Sequence, residues 1–199
     1  MRAKIFYLTF FSFLFSLQIF AQKVTVNVFM ENYKNLPESD TIYYNFDRKL
    51  NWSDFQGKVP PSVPWGAETA SGFSFHSSME SYENNINISV GIYTFFTKHD
   101  SWKKANINSA YQLEHEQHHF DITRLGAAKL ESEIKKAHFT HSNFKTLLNS
   151  IFNKVYNEET ERQKEYDRET QNSVNTVKQL EWNKKISDQI ENLKSAGSQ

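Results

Sequence analysis

Residues 113–122 read Leu-Glu-His-Glu-Gln-His-His-Phe-Asp-Ile, and His115, Glu116 and His119 within them fit the pattern H-E-x-x-H. Positions i and i+4 of a helix lie on one face about one turn apart, so both imidazoles can reach one ion. Glu116 lies beside them, where its carboxylate can take a proton from a water that the ion polarises and later return it. His118 points about 100° away from His119 and is expected to be a neighbouring or surface imidazole. The segment therefore predicts a helix that carries a Zn²⁺ site.

The third zinc ligand must come from another segment, because a catalytic zinc ion usually has three protein ligands and one open position. The apolar stripe of the predicted helix 143–170 continues as polar side chains, which are Glu159, Gln163, Tyr166, Asp167 and Thr170. A buried carboxylate needs a partner, and a metal ion is one. Asp167 is the first candidate and Glu159 the second. The alternative is that the helix leaves the core here, because residues 158–169 are dense in charge.

Tyr166 is a second candidate catalytic residue. Its hydroxyl can donate to the oxyanion that develops when a carbonyl is attacked. A tyrosine buried in the core is an equally good interpretation of the same residue.

The two halves of the chain differ in hydrophobic period. Alternation and β-rich composition predict strands in the first half, at 23–30, 42–46, 69–75 and 86–96. Helical spacing predicts three helices in the second half, at 109–137, at 143–170 and around Trp182 to Leu193. Strands followed by helices indicate an α+β fold with an antiparallel or mixed sheet. The strand at 86–96 is a candidate sheet edge for pairing with an extended peptide.

The first 21 residues have the pattern of a secretory signal peptide. Arg2 and Lys4 precede a nearly continuous apolar run from Ile5 to Phe20, and Ala21 supplies a small residue at the cleavage point. The alternative is a membrane anchor, for which the run is shorter than the usual length of about 20 residues. We therefore expect an exported protein, periplasmic or extracellular, with no membrane span in the mature chain.

The amino-acid composition excludes several classes of site and of binding partner. The chain has no Cys, which excludes disulfides, a thiolate metal site and a Cys nucleophile. Without residues 1–21 it has 21 basic against 23 acidic residues, a net charge of −2 that gives no general attraction for nucleic acid. A single domain is predicted over residues 22–193, followed by a frayed tail at 194–199.

Three blocks of sequence resemble the DUF922 family, described as predicted secreted zinc-dependent proteases of bacteria. The blocks are Leu50-Asn-Trp-Ser-Asp-Phe-Gln-Gly57 with Ala67-Glu-Thr-Ala-Ser-Gly-Phe73, the segment 113–122, and Tyr166-Asp-Arg-Glu-Thr170 followed by Gln179 and Trp182. The resemblance implies a zincin-like fold, with two histidine ligands and a glutamate base in the middle block. It also implies that Asp167 and its neighbours are functional.

One departure from the family affects the third block. The family typically continues as Tyr-Asp-x-x-Thr-x-His-Gly, whereas this chain has Asn172 and Ser173 at the last two positions. If the family's third ligand is that histidine, this chain has lost it; if the third ligand is Asp167, the site is intact. The sequence thus predicts a zinc metallopeptidase acting on peptides or proteins, with a non-catalytic envelope binding protein as the alternative. The oligomeric state stays open.

Overall fold

The computed structural model describes residues 22–31, 33 and 39–196. The predicted signal peptide, residues 1–21, lies outside them. The elements in chain order are β1 (Lys23–Met30), β2 (Thr41–Tyr43), a 3₁₀ turn (Trp52–Asp54), β3 (Ala67–Glu68), β4 (Ser71–Tyr82), β5 (Asn85–Thr97), β6 (Trp102–Lys103), α1 (Ala110–Lys136), α2 (Phe144–Thr170) and α3 (Thr176–Ala196). The predicted α+β class, with a mixed sheet followed by three helices, is confirmed.

Strand β5 is the centre of the main sheet. It pairs in parallel with β1 and in antiparallel with β2 along one edge, and in antiparallel with β4 along the other. Residues 86–96, the candidate sheet edge, therefore lie in the centre of the sheet instead. Alternate side chains of β5 face the core, where Ile86, Val90 and Ile92 have no exposed surface. A strand with neighbours on both edges leaves no backbone groups free for a peptide.

The helices pack on one face of this sheet. Ala127, Leu130 and Ile134 of α1 share a buried cluster with the apolar residues of β5, and α2 adds Phe144, Leu148 and Val155 to it. A separate cluster joins α3 to the first two helices through Ile122, Tyr166, Trp182, Ile186 and Ile190. The middle of α1 is thus enclosed by the sheet, α2 and α3, and its metal-site motif lies in that enclosed part.

The turn between α2 and α3 has unusual backbone geometry. Gln171, Asn172 and Ser173 have φ angles of 52°, 50° and 71°, in the left-handed region that glycine favours. Each non-glycine residue there costs on the order of 1 kcal/mol, so the surrounding structure must stabilise the turn. The Tyr111 hydroxyl donates to the Ser173 carbonyl at 2.9 Å, which anchors the turn to α1. The turn fixes the end of α2 relative to the start of α3.

The C-terminal helix continues through Ala196, into the segment predicted to be a tail, and Lys194 pairs with Asp47 at 3.1 Å. Among residues 22–31, 33 and 39–196, no helix combines the length and the apolar composition needed to cross a membrane.

Candidate metal centre

Three ligand atoms converge between α1 and α2. Nε2 of His115 and Nε2 of His119 lie 3.3 Å apart, and Oδ1 of Asp167 lies 3.2 Å from the first and 3.0 Å from the second. Atoms about 2 Å from one tetrahedrally coordinated ion lie about 3.4 Å from one another. The three side chains therefore fit one small ion, with a fourth position left open.

The hydrogen bond on the other side of the His115 ring fixes which of its nitrogens is free. Nδ1 of His115 lies 2.8 Å from Oε1 of Gln179 on α3. The amide nitrogen of Gln179 donates to the Tyr166 hydroxyl at 2.5 Å and to Oδ1 of Asn183 at 2.6 Å. Because this NH₂ group is committed there, the Gln179 oxygen faces the imidazole and accepts its Nδ1 proton. Nε2 of His115 is then left as an unprotonated ligand nitrogen.

His119 has the same arrangement with a glutamine from α2. Its Nδ1 lies 2.7 Å from Oε1 of Gln163. The Gln163 NH₂ group donates to the His119 carbonyl at 3.0 Å and to Oε1 of Glu159 at 2.7 Å, both of which only accept. The Gln163 oxygen must therefore face the His119 ring. Two glutamines from two helices orient both rings toward Asp167.

The carboxylate of Glu116 is buried beside the two rings. Its Oε2 accepts a hydrogen bond from the Thr69 hydroxyl at 2.7 Å, and the same hydroxyl contacts the Glu116 carbonyl at 3.1 Å. Thr69 lies between β3 and β4, so the sheet side of the site fixes the carboxylate direction. Burial raises the pKa of Glu116, although His119 and His115 oppose the rise. A raised pKa brings a carboxylate closer to the range in which it can exchange a proton at neutral pH.

The charged groups of the candidate metal centre shift one another's pKa values strongly. Burial lowers the pKa of His119, but the hydrogen bond and charge of Asp167, with the charge of Glu116, raise it overall to about 9. Burial raises the pKa of Asp167, but hydrogen bonds from His115 and His119 lower it well below its usual range. Perturbed groups that converge in a cleft are typical of functional sites.

The structure places Tyr166, the second candidate catalytic residue, in the buried core beside the ligand group. Its side chain is fully buried, its ring stacks on the His115 ring at 4.6 Å, and its hydroxyl accepts from Gln179. The other hydrogen bond of the hydroxyl is a long one, to the His115 carbonyl at 3.4 Å. In this arrangement the hydroxyl lies behind the ligand group and outside the cleft lining, where it packs against His115, and its catalytic role stays a prediction. Burial raises the pKa of this phenol far above its usual value.

The other candidate ligands lie away from the convergence point. Glu159 bonds to Gln163 and to the Thr123 hydroxyl, and it is not among the three residues whose ligand atoms come together. Asn172 lines the same cleft from the turn after α2. His118 is buried on another side of α1, where Nδ1 contacts Asp121 at 3.2 Å. The metal-ligating roles of His115, His119 and Asp167 stay predictions that this arrangement fits.

The site opens into a cleft of about 760 Å³ between the β3–β4 segment and the end of α2. Its floor includes His115, Glu116 and His119, and its walls carry Trp65, Phe73 and Tyr156. The three candidate ligands and Glu116 therefore all line one cleft.

Sequence reasoning did not identify Thr69, Gln163 and Gln179 as parts of the site. Gln163 belongs to the polar stripe on α2, and Thr69 and Gln179 lie inside the blocks that resemble the family. For Thr69 and Gln179, the position inside these blocks is the feature of the sequence that indicates a role in the site. Their roles depend on contacts 44 to 64 residues apart in the chain, which a local pattern does not contain.

The fold and the site together define an α+β protein with a candidate His₂Asp metal centre on adjacent helices. The profile of a family described as "Bacterial protein of unknown function (DUF922)" matches residues 98–173, which confirms the family predicted from the motifs. The matched region contains all three candidate ligands and Glu116, but not Thr69 or Gln179. No curated protein matches the chain. No solved structure matches it either.

Proposed function

We propose that this protein is an exported zinc metallopeptidase of zincin-like fold. One observation carries the proposal: two imidazole nitrogens and a carboxylate oxygen converge within 3.3 Å of one another while both Nδ1 protons are bound to glutamines. Three acceptor atoms pointing at one place repel one another unless a cation or protons lie between them. The set of two imidazoles and one carboxylate is one that catalytic zinc sites use.

The roles of the chain's own residues follow from their positions. A Zn²⁺ held by His115, His119 and Asp167 would polarise a peptide carbonyl and acidify a water molecule. Glu116 takes the proton of the attacking water, and its raised pKa allows it to hand that proton to the leaving amine. Thr69 keeps the carboxylate aimed at the cleft through its hydrogen bond.

Peptides or proteins are the proposed substrates because the cleft has a volume of about 760 Å³ and is lined by both apolar and polar side chains. The signal-peptide pattern of residues 1–21 supports action in the periplasm or outside the cell.

The test compares Glu116→Gln with Glu114→Gln, since Glu114 is an exposed glutamate on the same helix. Digestion of unfolded casein is measured together with zinc content by elemental analysis. Glu116→Gln should lose turnover while keeping one zinc per chain, and Glu114→Gln should resemble the unmodified protein. Chelation should abolish digestion and added zinc should restore it. Unchanged turnover in Glu116→Gln would disprove the mechanism.

A non-catalytic envelope binding protein is the second candidate. The observation in its favour is Asn172, which stands where the family typically has a histidine. Stoichiometric zinc with no digestion of casein or of short peptides would select this candidate over the peptidase.

A further inference from the structure

A second cavity, of about 960 Å³, lies on the other side of α1 from the metal centre. Arg124 and Ala128 line it, each nine positions after one of the metal-site histidines, His115 and His119. Nine residues correspond to about two and a half helical turns, so these side chains point in the opposite direction. The cavity is therefore separate from the cleft.

The walls of this cavity are rich in aromatic side chains. They come from β1, β2, β5 and nearby loops, and are Phe29, Tyr33, Tyr43, Tyr44, Phe46 and Tyr93. Tyr33 packs on Tyr43 with ring centroids 4.2 Å apart, and both lie 6.1 Å from the ring of Tyr93. Such walls suit a ligand with an apolar or aromatic body.

Nearly all of the charged groups around the cavity are matched by a partner. The pairs, at 2.6–3.3 Å, are Glu131 with Lys135, Lys136 with Glu133, Asp47 with Lys194, and Glu31 with the imidazole of His76. Paired charges at a rim add little to the affinity for a ligand.

Arg124 differs from these groups because it is buried and unmatched. It is 8 % exposed, and its Nη1 has no hydrogen-bond partner among the described residues. Its guanidinium lies 5.6 Å from the Phe46 ring, a contact that leaves the in-plane N–H donors unused. Burial lowers the pKa of Arg124, although Tyr44 and Glu131 oppose the change, and this reflects the cost of an enclosed charge. A buried cation that has no carboxylate in direct contact is uncommon in folded proteins.

Thr94 gives a second, independent observation in the same cavity. It is 3 % exposed, and its hydroxyl also has no hydrogen-bond partner in the described part of the chain. A guanidinium and a hydroxyl together offer several donors and one positive charge, which a carboxylate can match with one negative charge and two acceptor oxygens. The single unmatched charge favours a monoanion over a phosphate group, which carries more charge at neutral pH.

We propose that this cavity binds a small organic monocarboxylate with an apolar body, its carboxylate at Arg124 and Thr94 and its body against the aromatic walls. The site is independent of the metal centre and of the peptidase activity.

Calorimetric titration with octanoate and with octanamide tests the proposal, because the two probes share one apolar body and differ in charge. A chelator is present throughout, so that octanoate cannot bind an ion at His115 and His119. The unmodified protein should bind octanoate at least tenfold more tightly than octanamide. Arg124→Met should remove this preference, whereas Arg162→Met should keep it. Arg162 is the matched control because it also lies near an aromatic ring, Trp182, but outside the cavity.

Two further variants keep the test decisive. Arg124→Lys retains the charge and should keep part of the preference for octanoate, and Thr94→Val should lower octanoate affinity several-fold and octanamide affinity by less, because a hydrogen bond to a charged acceptor is the stronger one. Circular dichroism checks that each variant is folded. Equal binding of the two probes by the unmodified protein, or an unchanged preference in folded Arg124→Met, would overturn the proposal.

Discussion

The hydroxyl of Thr69 lies 2.7 Å from Oε2 of Glu116, across 47 residues of sequence. This contact joins the sheet side of the molecule to the helix that carries the histidines. The Ser101 hydroxyl holds the segment in place by accepting from the Ala70 amide at 2.9 Å. The proposed general base is therefore oriented by the sheet, while the proposed ligands are oriented by the helices.

Thr69→Val should lower casein turnover about tenfold and leave zinc content unchanged. Valine keeps the shape of the side chain but removes the donor, so the carboxylate loses both its direction and a hydrogen bond that lowers its pKa. The rate and the pH profile of digestion provide the measurement. Thr25→Val, at an exposed threonine of β1, is the control. An unaltered rate would mean that Glu116 needs no support from Thr69.

Asp167→Asn should weaken zinc binding about 100-fold or more. An amide oxygen is a poorer zinc ligand than a carboxylate, and the substitution removes the charge that offsets the ion. Competition with a chromophoric chelator measures the affinity. Glu165→Gln, at an exposed glutamate of the same helix, should have no effect. If Glu159→Gln weakened zinc binding more than Asp167→Asn, the third ligand would have been assigned wrongly.

Gln179→Leu should weaken zinc binding about 10- to 100-fold, because residues that orient metal ligands typically contribute this much. The substitution removes the acceptor from Nδ1 of His115 and leaves the Tyr166 hydroxyl without its donor. The same chelator competition reports the loss. Gln189→Leu, at an exposed position of α3, separates this effect from general damage to the helix.

The packing of α3 against the first two helices should contribute strongly to the stability of the fold. Ile186 has no exposed surface and lies in the cluster that contains Ile122 and Tyr166. Ile186→Ala should lower the free energy of unfolding by about 2–5 kcal/mol through lost burial and a residual cavity. Urea unfolding measures the change, and the exposed Leu180→Ala provides the comparison. Equal effects of the two substitutions would contradict this account of the core.

The part of the site that depends on local spacing could be predicted from sequence. His115 and His119 needed only the helical period, and Asp167 was found because an apolar stripe became polar. The position of β5 could not be predicted, since an alternating strand has the same pattern at an edge and in a centre. Gln179 could not be assigned either, because an amide is equally common on a solvated helix and beside a ligand.

Glu159 should make the stability of the protein depend on pH. Burial raises the pKa of this carboxyl, although hydrogen bonds from Gln163 and Thr123 partly oppose the rise. The folded protein therefore binds the Glu159 proton more tightly than the unfolded chain does. The stability that this proton contributes is fully present below the unfolded pKa of about 4.3 and is lost as the pH rises through the folded pKa.

Glu159→Gln removes this dependence because glutamine is neutral at every pH and can still accept from Gln163 and Thr123. The free energy of unfolding of the variant, relative to the unmodified protein, should therefore be higher at pH 7 than at pH 4. Urea unfolding with a chelator present measures both values without a contribution from bound metal. Glu161→Gln is the control with the opposite sign, since Lys164 lowers the pKa of that exposed carboxyl. A difference between Glu159→Gln and the unmodified protein that is the same at both pH values would show that Glu159 does not titrate abnormally.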